Sequence, residues 1–171
     1  MNNPDFRRFW SGLGKAGVIR GAYHFFYAQD RGVDQAQHFN QMTSLMGEQV
    51  LPPIVDVEMR GVKGHSVEQV QRELDAFLFQ AEQLFGRRPI IYTNRVTAQK
   101  YLQDEKYAKY PLWFAEYMVS SPRIPPPWRS CIIWQKEGNV PVAGGKVDLD
   151  EARISKQDLL DLCKEKLTTV P

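Results

Sequence analysis

Short apolar runs alternate with amphipathic stretches along most of this chain, and that alternation limits the possible folds more than any other feature. The apolar runs lie at 18–26, 54–58, 90–93, 112–115, 132–135 and 146–149. The segment at 67–85 shows the clearest helical spacing. Val67, Val70, Leu74, Phe77, Leu78, Ala81, Leu84 and Phe85 form one stripe, Ser66 and Gln69 read as a capping box, and Gly86 closes it. Further helices are expected at 5–16, stopped by Gly17, and at 95–102. Another is expected at 34–46, capped by Asp34, with Ala36, Phe39, Met42 and Leu45 on its apolar face and Gly47 ending it. A last one begins after Ser155 and carries Leu159, Leu160, Leu162, Cys163 and Leu167. Strands separated by helices pair in parallel through right-handed crossovers. The runs at 132–135 and 146–149 have no helix between them, so the expected class is α/β with about six strands and not a regular eightfold barrel.

A chain of 171 residues suits one domain. The net charge of +2 gives no concentrated basic face of the kind nucleic acid requires. Cys131 and Cys163 have no metal or redox spacing and read as buried free thiols. No apolar stretch reaches membrane-spanning length, and the opening residues MNNPDFRRFW contain no apolar leader.

The segment PPIVDVE carries the chemistry. Along a strand, residues two apart share a face, so Asp56 and Glu58 project together, about 6–7 Å apart at Cα, while Val55 and Val57 point the other way. Adjacent carboxyls raise the pKa of at least one of them. An acid that keeps its proton can protonate a leaving group, and an ionised neighbour can stabilise developing positive charge, which is the division of labour in glycoside hydrolysis. The pair lies at the C-terminal end of its strand, where parallel barrels keep their working residues. Two plainer readings remain open at this stage: solvated acids at a strand terminus, or a divalent-cation site, which would need further acids. Aromatic residues recur near other strand ends, at Tyr23, Phe25, Tyr92, Trp113, Tyr117 and Trp134, and flat rings suit the CH faces of sugars. His24 reads as a satisfied core histidine, His38 and His65 as surface residues, and the run SPRIPPPW as a surface loop.

GAYHFF, DQAQHF, PPIVDVE, IIYTN, PLWFAEY, IIWQ and VDLD, in that order and spacing, resemble family 25 of the glycoside hydrolases, the N-acetylmuramidase-type lysozymes. The resemblance implies an irregular, TIM-like (β/α)5(β)3 barrel that cuts the β-1,4 bond after N-acetylmuramic acid in peptidoglycan, with no metal and no cofactor. It implies Glu58 as general acid. Asp56 would be the carboxylate that assists the departing sugar, as nucleophile or by orienting the substrate's acetamido group. Tyr92 and Asp148 match positions lining the site, and Tyr23, Phe25, Trp113 and Tyr117 match positions along the substrate groove.

Members of the family begin with a strand carrying an Asp-Val-Ser-type motif and a second strand before the segment matching NPDFRRFW. Neither is present here, so the expected barrel is incomplete at its N-terminal side. A second chain completing the barrel is one consequence, and a module that binds cell-wall glycan without cutting it is the alternative function. Action on the cell wall implies a periplasmic or extracellular setting.

Overall fold

The structure, a computed structural model, describes residues 5–43, 49–142 and 144–167. Six strands form one curled half-barrel sheet in the order of the sequence: β1 (Tyr23–Phe25), β2 (Ile54–Val57), β3 (Ile90–Asn94), β4 (Leu112–Ala115), β5 (Ile133–Val142) and β6 (Gly145–Ala152). Five neighbours run parallel from β1 to β5, but β5 and β6 form an antiparallel hairpin. Parallel pairing, expected where helices separate the strands, gives way at the last pair, for a physical reason: a connection of two residues cannot make a crossover. The first strand is also shorter than 18–26, although a bridge between Arg20 and Val50 prolongs its pairing with β2.

Six helices cover this sheet: α1 (Phe6–Lys15), α2 (Gly32–Met42), α3 (Met59–Val62), α4 (Val67–Phe85), α5 (Arg95–Tyr101) and α6 (Lys156–Lys164). The stripe on α4 is buried as its spacing dictates, with Val70, Leu74, Phe77, Leu78 and Ala81 facing the core. Ser66 caps α4 by accepting the Gln69 N–H, but the Gln69 side chain donates to Ala28 O, so the reciprocal half of the expected capping box is replaced by a tie to the loop after β1. A full capping box occurs at α6, between Ser155 and Asp158. Helix α2 begins at Gly32, two residues before Asp34, because it crosses α4 closely: a Cβ on Gly32 would lie 1.8 Å from Glu73 O. The helix stops at Met42, where Thr43 is extended at φ −119° and ψ 105°, short of the expected 46; Leu45 and Gly47 lie outside the described residues.

Two apolar clusters lie on opposite faces of the sheet. Outward-facing Val55, Val57, Ile91, Leu112 and Phe114 pack with α2, α4 and α5 into the main core. Inward-facing Ile54, Ile90 and Ile133, each the first residue of its strand, pack with Leu51 and with Leu159, Leu162 and Cys163 of α6. Helix α6 therefore closes the N-terminal end of the half-barrel. Arg87 fastens it there by donating to Val50 O, Leu51 O, Leu162 O and Glu165 O. His24 stacks on Phe77 and pairs with Gln35 Oε1, as a satisfied core histidine does, and Cys131 and Cys163 are free.

Candidate active site

Above the floor of isoleucines, the next inward-facing positions are polar or aromatic. Asp56 on β2 is in register with Phe25 on β1 and Tyr92 on β3, and Tyr92 in turn with Trp113 on β4. Strand β2 ends at Val57, and Glu58 is the N-cap of the one-turn α3. Its backbone remains extended, at φ −128° and ψ 161°, and its side chain makes no cap hydrogen bond, so the two-residue alternation carries it to the same face as Asp56. Gly61 in α3 permits this turn, since a Cβ there would lie 1.9 Å from Phe26 O.

The two acids differ in surroundings. Asp56 is walled on both sides by register partners, whereas Glu58 lies beyond the last paired residue of β2. Burial, and secondarily the charge of Glu58, pushes the Asp56 carboxyl up to about 8. Its Oδ1 is buried without a hydrogen-bond partner. Desolvation penalises the ionised form of Asp56 and is the larger cause of its raised pKa.

A polar network runs from this pair to the hairpin. Tyr92 and Tyr117 both donate their hydroxyl protons to Gln135 Oε1, and Gln135 Nε2 donates to Asp148 Oδ2 at 3.2 Å. Register shifts around Glu137 bulge the hairpin and turn the Asn139 N–H toward Asp148 Oδ1, at 3.2 Å. Trp113 Nε1 donates to Asp150 Oδ1 at 2.8 Å. Burial raises the pKa of both Tyr92 and Tyr117, so each phenol keeps its proton as a hydrogen-bond donor at neutral pH.

The structure thus gathers Asp56, Glu58, Tyr92, Trp113, Tyr117 and Asp148 on the inner face of the half-barrel, toward the C-terminal ends of its strands. Phe25 borders this group beside Asp56 and lies 5.1 Å from the Tyr27 ring. Tyr23 lies on the same face one step lower, opposite Ile54, and is 68% exposed on the outer strand. Trp134 is not a cleft residue: it faces the helix layer, is buried, and donates to Glu116 O. Sequence reasoning missed Gln135 and Asp150 as site residues. The alternation that paired Asp56 with Glu58 also pairs Ile133 with Gln135 and Asp148 with Asp150, and would have found both. Among the described residues no group of three or more His, Cys, Asp or Glu is placed to hold a metal ion, and no helix is long and apolar enough to cross a membrane.

One rim of the cleft is tied down by charge. Glu116, buried just after β4, takes the Arg95 side chain and both the backbone N–H and the side chain of Arg123. Burial alone would raise Glu116, but these donors outweigh it and hold the carboxyl at about 2. The clip folds the proline-rich segment inward, so that Pro125, Pro127 and Trp128 are buried and the segment is not the surface loop its composition suggested. Glu116→Ala is expected to remove about 2–3 kcal/mol, discounted for the exposure of Arg123, and to lower Tm by about 5–10 °C at pH 7. A depressed pKa stabilises above the unfolded value of 4.5 and its contribution is lost as pH falls toward about 2, so the difference in Tm should shrink over that window. Thermal melts of both proteins between pH 2 and 7 check this.

Comparison with known proteins agrees with this fold. The family model described as glycosyl hydrolases family 25 matches residues 1–144. The Escherichia coli protein named "Uncharacterized protein YegX" is 30% identical over 151 residues, covering 86% of this chain and 53% of that protein. The chain spans about half the length of the curated relatives it matches. Among solved structures, the bacterial lysozyme from Streptomyces coelicolor superposes with a TM-score of 0.88 at 26% identity, covering 95% of this chain and 80% of that one. The muramidase from Trichobolus zukalii superposes with a TM-score of 0.87 at 29% identity, covering 96% and 82%.

Proposed function

The chain belongs to family 25 of the glycosyl hydrolases, and from that premise we propose that it cleaves the β-1,4 bond between N-acetylmuramic acid and N-acetylglucosamine in bacterial peptidoglycan. The observation that carries this reading is the pairing of Asp56 and Glu58 on one extended segment at the C-terminal end of β2, with one of the two strongly disposed to hold a proton.

Glu58, past the end of β2, gives that proton to the glycosidic oxygen as the bond breaks. The positive charge developing at the anomeric carbon favours ionised Asp56, which reverses the preference of the empty cleft and transfers the proton toward Glu58 and the leaving group. Asp56 then stabilises the anomeric centre, as nucleophile or by holding the substrate's acetamido group. Tyr92 and Asp148 line the reacting region, and Phe25, Trp113, Tyr117 and the outlying Tyr23 offer rings and polar edges to successive sugars. Support for the substrate comes from the lysozyme and muramidase named above, whose folds superpose on nearly all of this chain.

Digestion of purified peptidoglycan, borohydride reduction and mass spectrometry test the proposal. The expected products end in reduced N-acetylmuramic acid. Ends of reduced N-acetylglucosamine alone would assign a different bond, and saturable binding with no new ends would make the chain a glycan-binding module.

A further inference from the structure

The polar chain across the cleft floor has a direction, and that direction constrains the ligand. Gln135 is buried on β5 between two phenols and a carboxylate. A carboxylate oxygen accepts and does not donate, so the amide nitrogen must face Asp148 and Oε1 must face Tyr92 and Tyr117. The amide oxygen has two lone pairs, enough for both phenolic protons. Asp148 is held in turn by the Asn139 N–H, at a residue with a left-handed φ of 61°. A Cβ on Gly138 would lie 3.3 Å from Asp148 Oδ1 and 3.4 Å from the Tyr117 hydroxyl, so the backbone itself presses close to this group. Each phenol has one proton, which goes to Gln135 Oε1 or to the neighbouring phenol, so neither is left for the ligand. What Tyr92 and Tyr117 can still offer the cleft is a lone pair.

We infer that Gln135 is a positioning residue that fixes Tyr92 and Tyr117 as hydrogen-bond acceptors toward the cleft, so that the glycan group seated against them is a donor, an acetamido N–H or a sugar hydroxyl. This rests on reading the cleft as a glycan site. Reversal of the amide would turn both phenols into donors toward the ligand, and Asp148 prevents it by leaving the amide oxygen no donor on that side.

Two substitutions separate this role from simple space filling. Gln135→Leu keeps approximate volume and removes every polar atom. Gln135→Glu keeps the shape. With its new carboxyl protonated, the C=O accepts from both phenols and the O–H donates to Asp148, which reproduces the glutamine pattern. Ionisation destroys that pattern and sets a second negative charge against Asp148. The other titratable groups facing it are Asp150, its register partner on β6, Tyr92 and Tyr117, and Asp56 beyond Tyr92, with Glu58 also there but replaced by glutamine in the background used below. Lys136 and Arg153 pair with Glu151 and do not enter this network. The surrounding acids push the introduced carboxyl upward, so the loss develops as pH rises toward neutrality.

Binding of a soluble peptidoglycan fragment is measured by titration calorimetry between pH 4.5 and 8, with each variant placed in the Glu58→Gln background and its affinity divided by that of the background alone. Gln135→Leu is expected to weaken binding about tenfold throughout, the equivalent of one or two hydrogen bonds. Gln135→Glu is expected to stay within about twofold at pH 4.5 and to fall about tenfold by pH 8. Equal losses in both variants at every pH would make the amide a packing element and overturn the inference, as would wild-type affinity in either at pH 8. If Gln135→Leu does not fold, the pH dependence of Gln135→Glu decides alone. A background protein that binds no fragment overturns the inference together with its premise. If the fragment binds but the unmodified chain produces no new reducing ends, the hydrolase reading fails and this one stands.

Discussion

Replacing Glu58 by glutamine is expected to reduce the release of reducing ends from peptidoglycan about 1000-fold while leaving Tm within about 2 °C of the parent. The size follows from general acid catalysis, where removing the proton donor typically costs 10²–10⁴-fold. The small structural effect follows from the position of Glu58. Its side chain makes no cap hydrogen bond to α3, and its extended backbone does not depend on the carboxylate. The substitution also removes a charge that raises Asp56, so the Asp56 carboxyl should titrate lower than about 8 while burial still keeps it above the ordinary range. Reducing-end assays and melts on the same preparation check both halves. Activity equal to the parent would remove Glu58 from the chemistry.

Asp56→Asn is expected to inactivate and stabilise at once. Rate loss should reach roughly 10²–10³-fold, the usual cost of removing a charge that stabilises the transition state. Stability should move the other way. The folded carboxyl titrates at about 8 against 3.8 unfolded, so the folded state binds the proton more tightly. A raised pKa contributes stability fully present below 3.8 and lost progressively as pH rises toward about 8. At pH 7 that loss is on the order of 2–4 kcal/mol, and an uncharged asparagine avoids it. Tm should therefore rise by about 5–10 °C at pH 7 and hardly at all at pH 4. Such an exchange of stability for reactivity is the usual cost of an active site. Melting curves at the two pH values provide the check.

The sequence reveals the shared face of Asp56 and Glu58 because strand alternation is strictly local. It does not reveal that Asp56 is desolvated. That depends on Phe25 and Tyr92, which arrive from strands 31 and 36 residues away and flank Asp56 only once the register is set. Glu58 escapes the same walls because pairing of β2 ends at Val57. Helix α4 is legible because it buries one regular stripe. The hairpin is not, since the stretch EGNVPVAGG mixes turn residues with apolar ones. Val142, Val147 and Leu149 remain exposed along it, so no alternation between core and solvent marks the strands. The Glu116 clip escapes for another reason. Arg95, Glu116 and Arg123 are ordinary charged residues in sequence, and only the fold gathers them.

Carbon-13 NMR titration of the Asp56 carboxyl, with its resonance assigned through Asp56→Asn, tests most directly the claim that Asp56 holds a proton beside Glu58. The expected midpoint is about 8 in the parent protein, shifting downward in Glu58→Gln. A midpoint near 3.8 that ignores the state of Glu58 would mean that Asp56 is solvated and uncoupled, and would contradict the account.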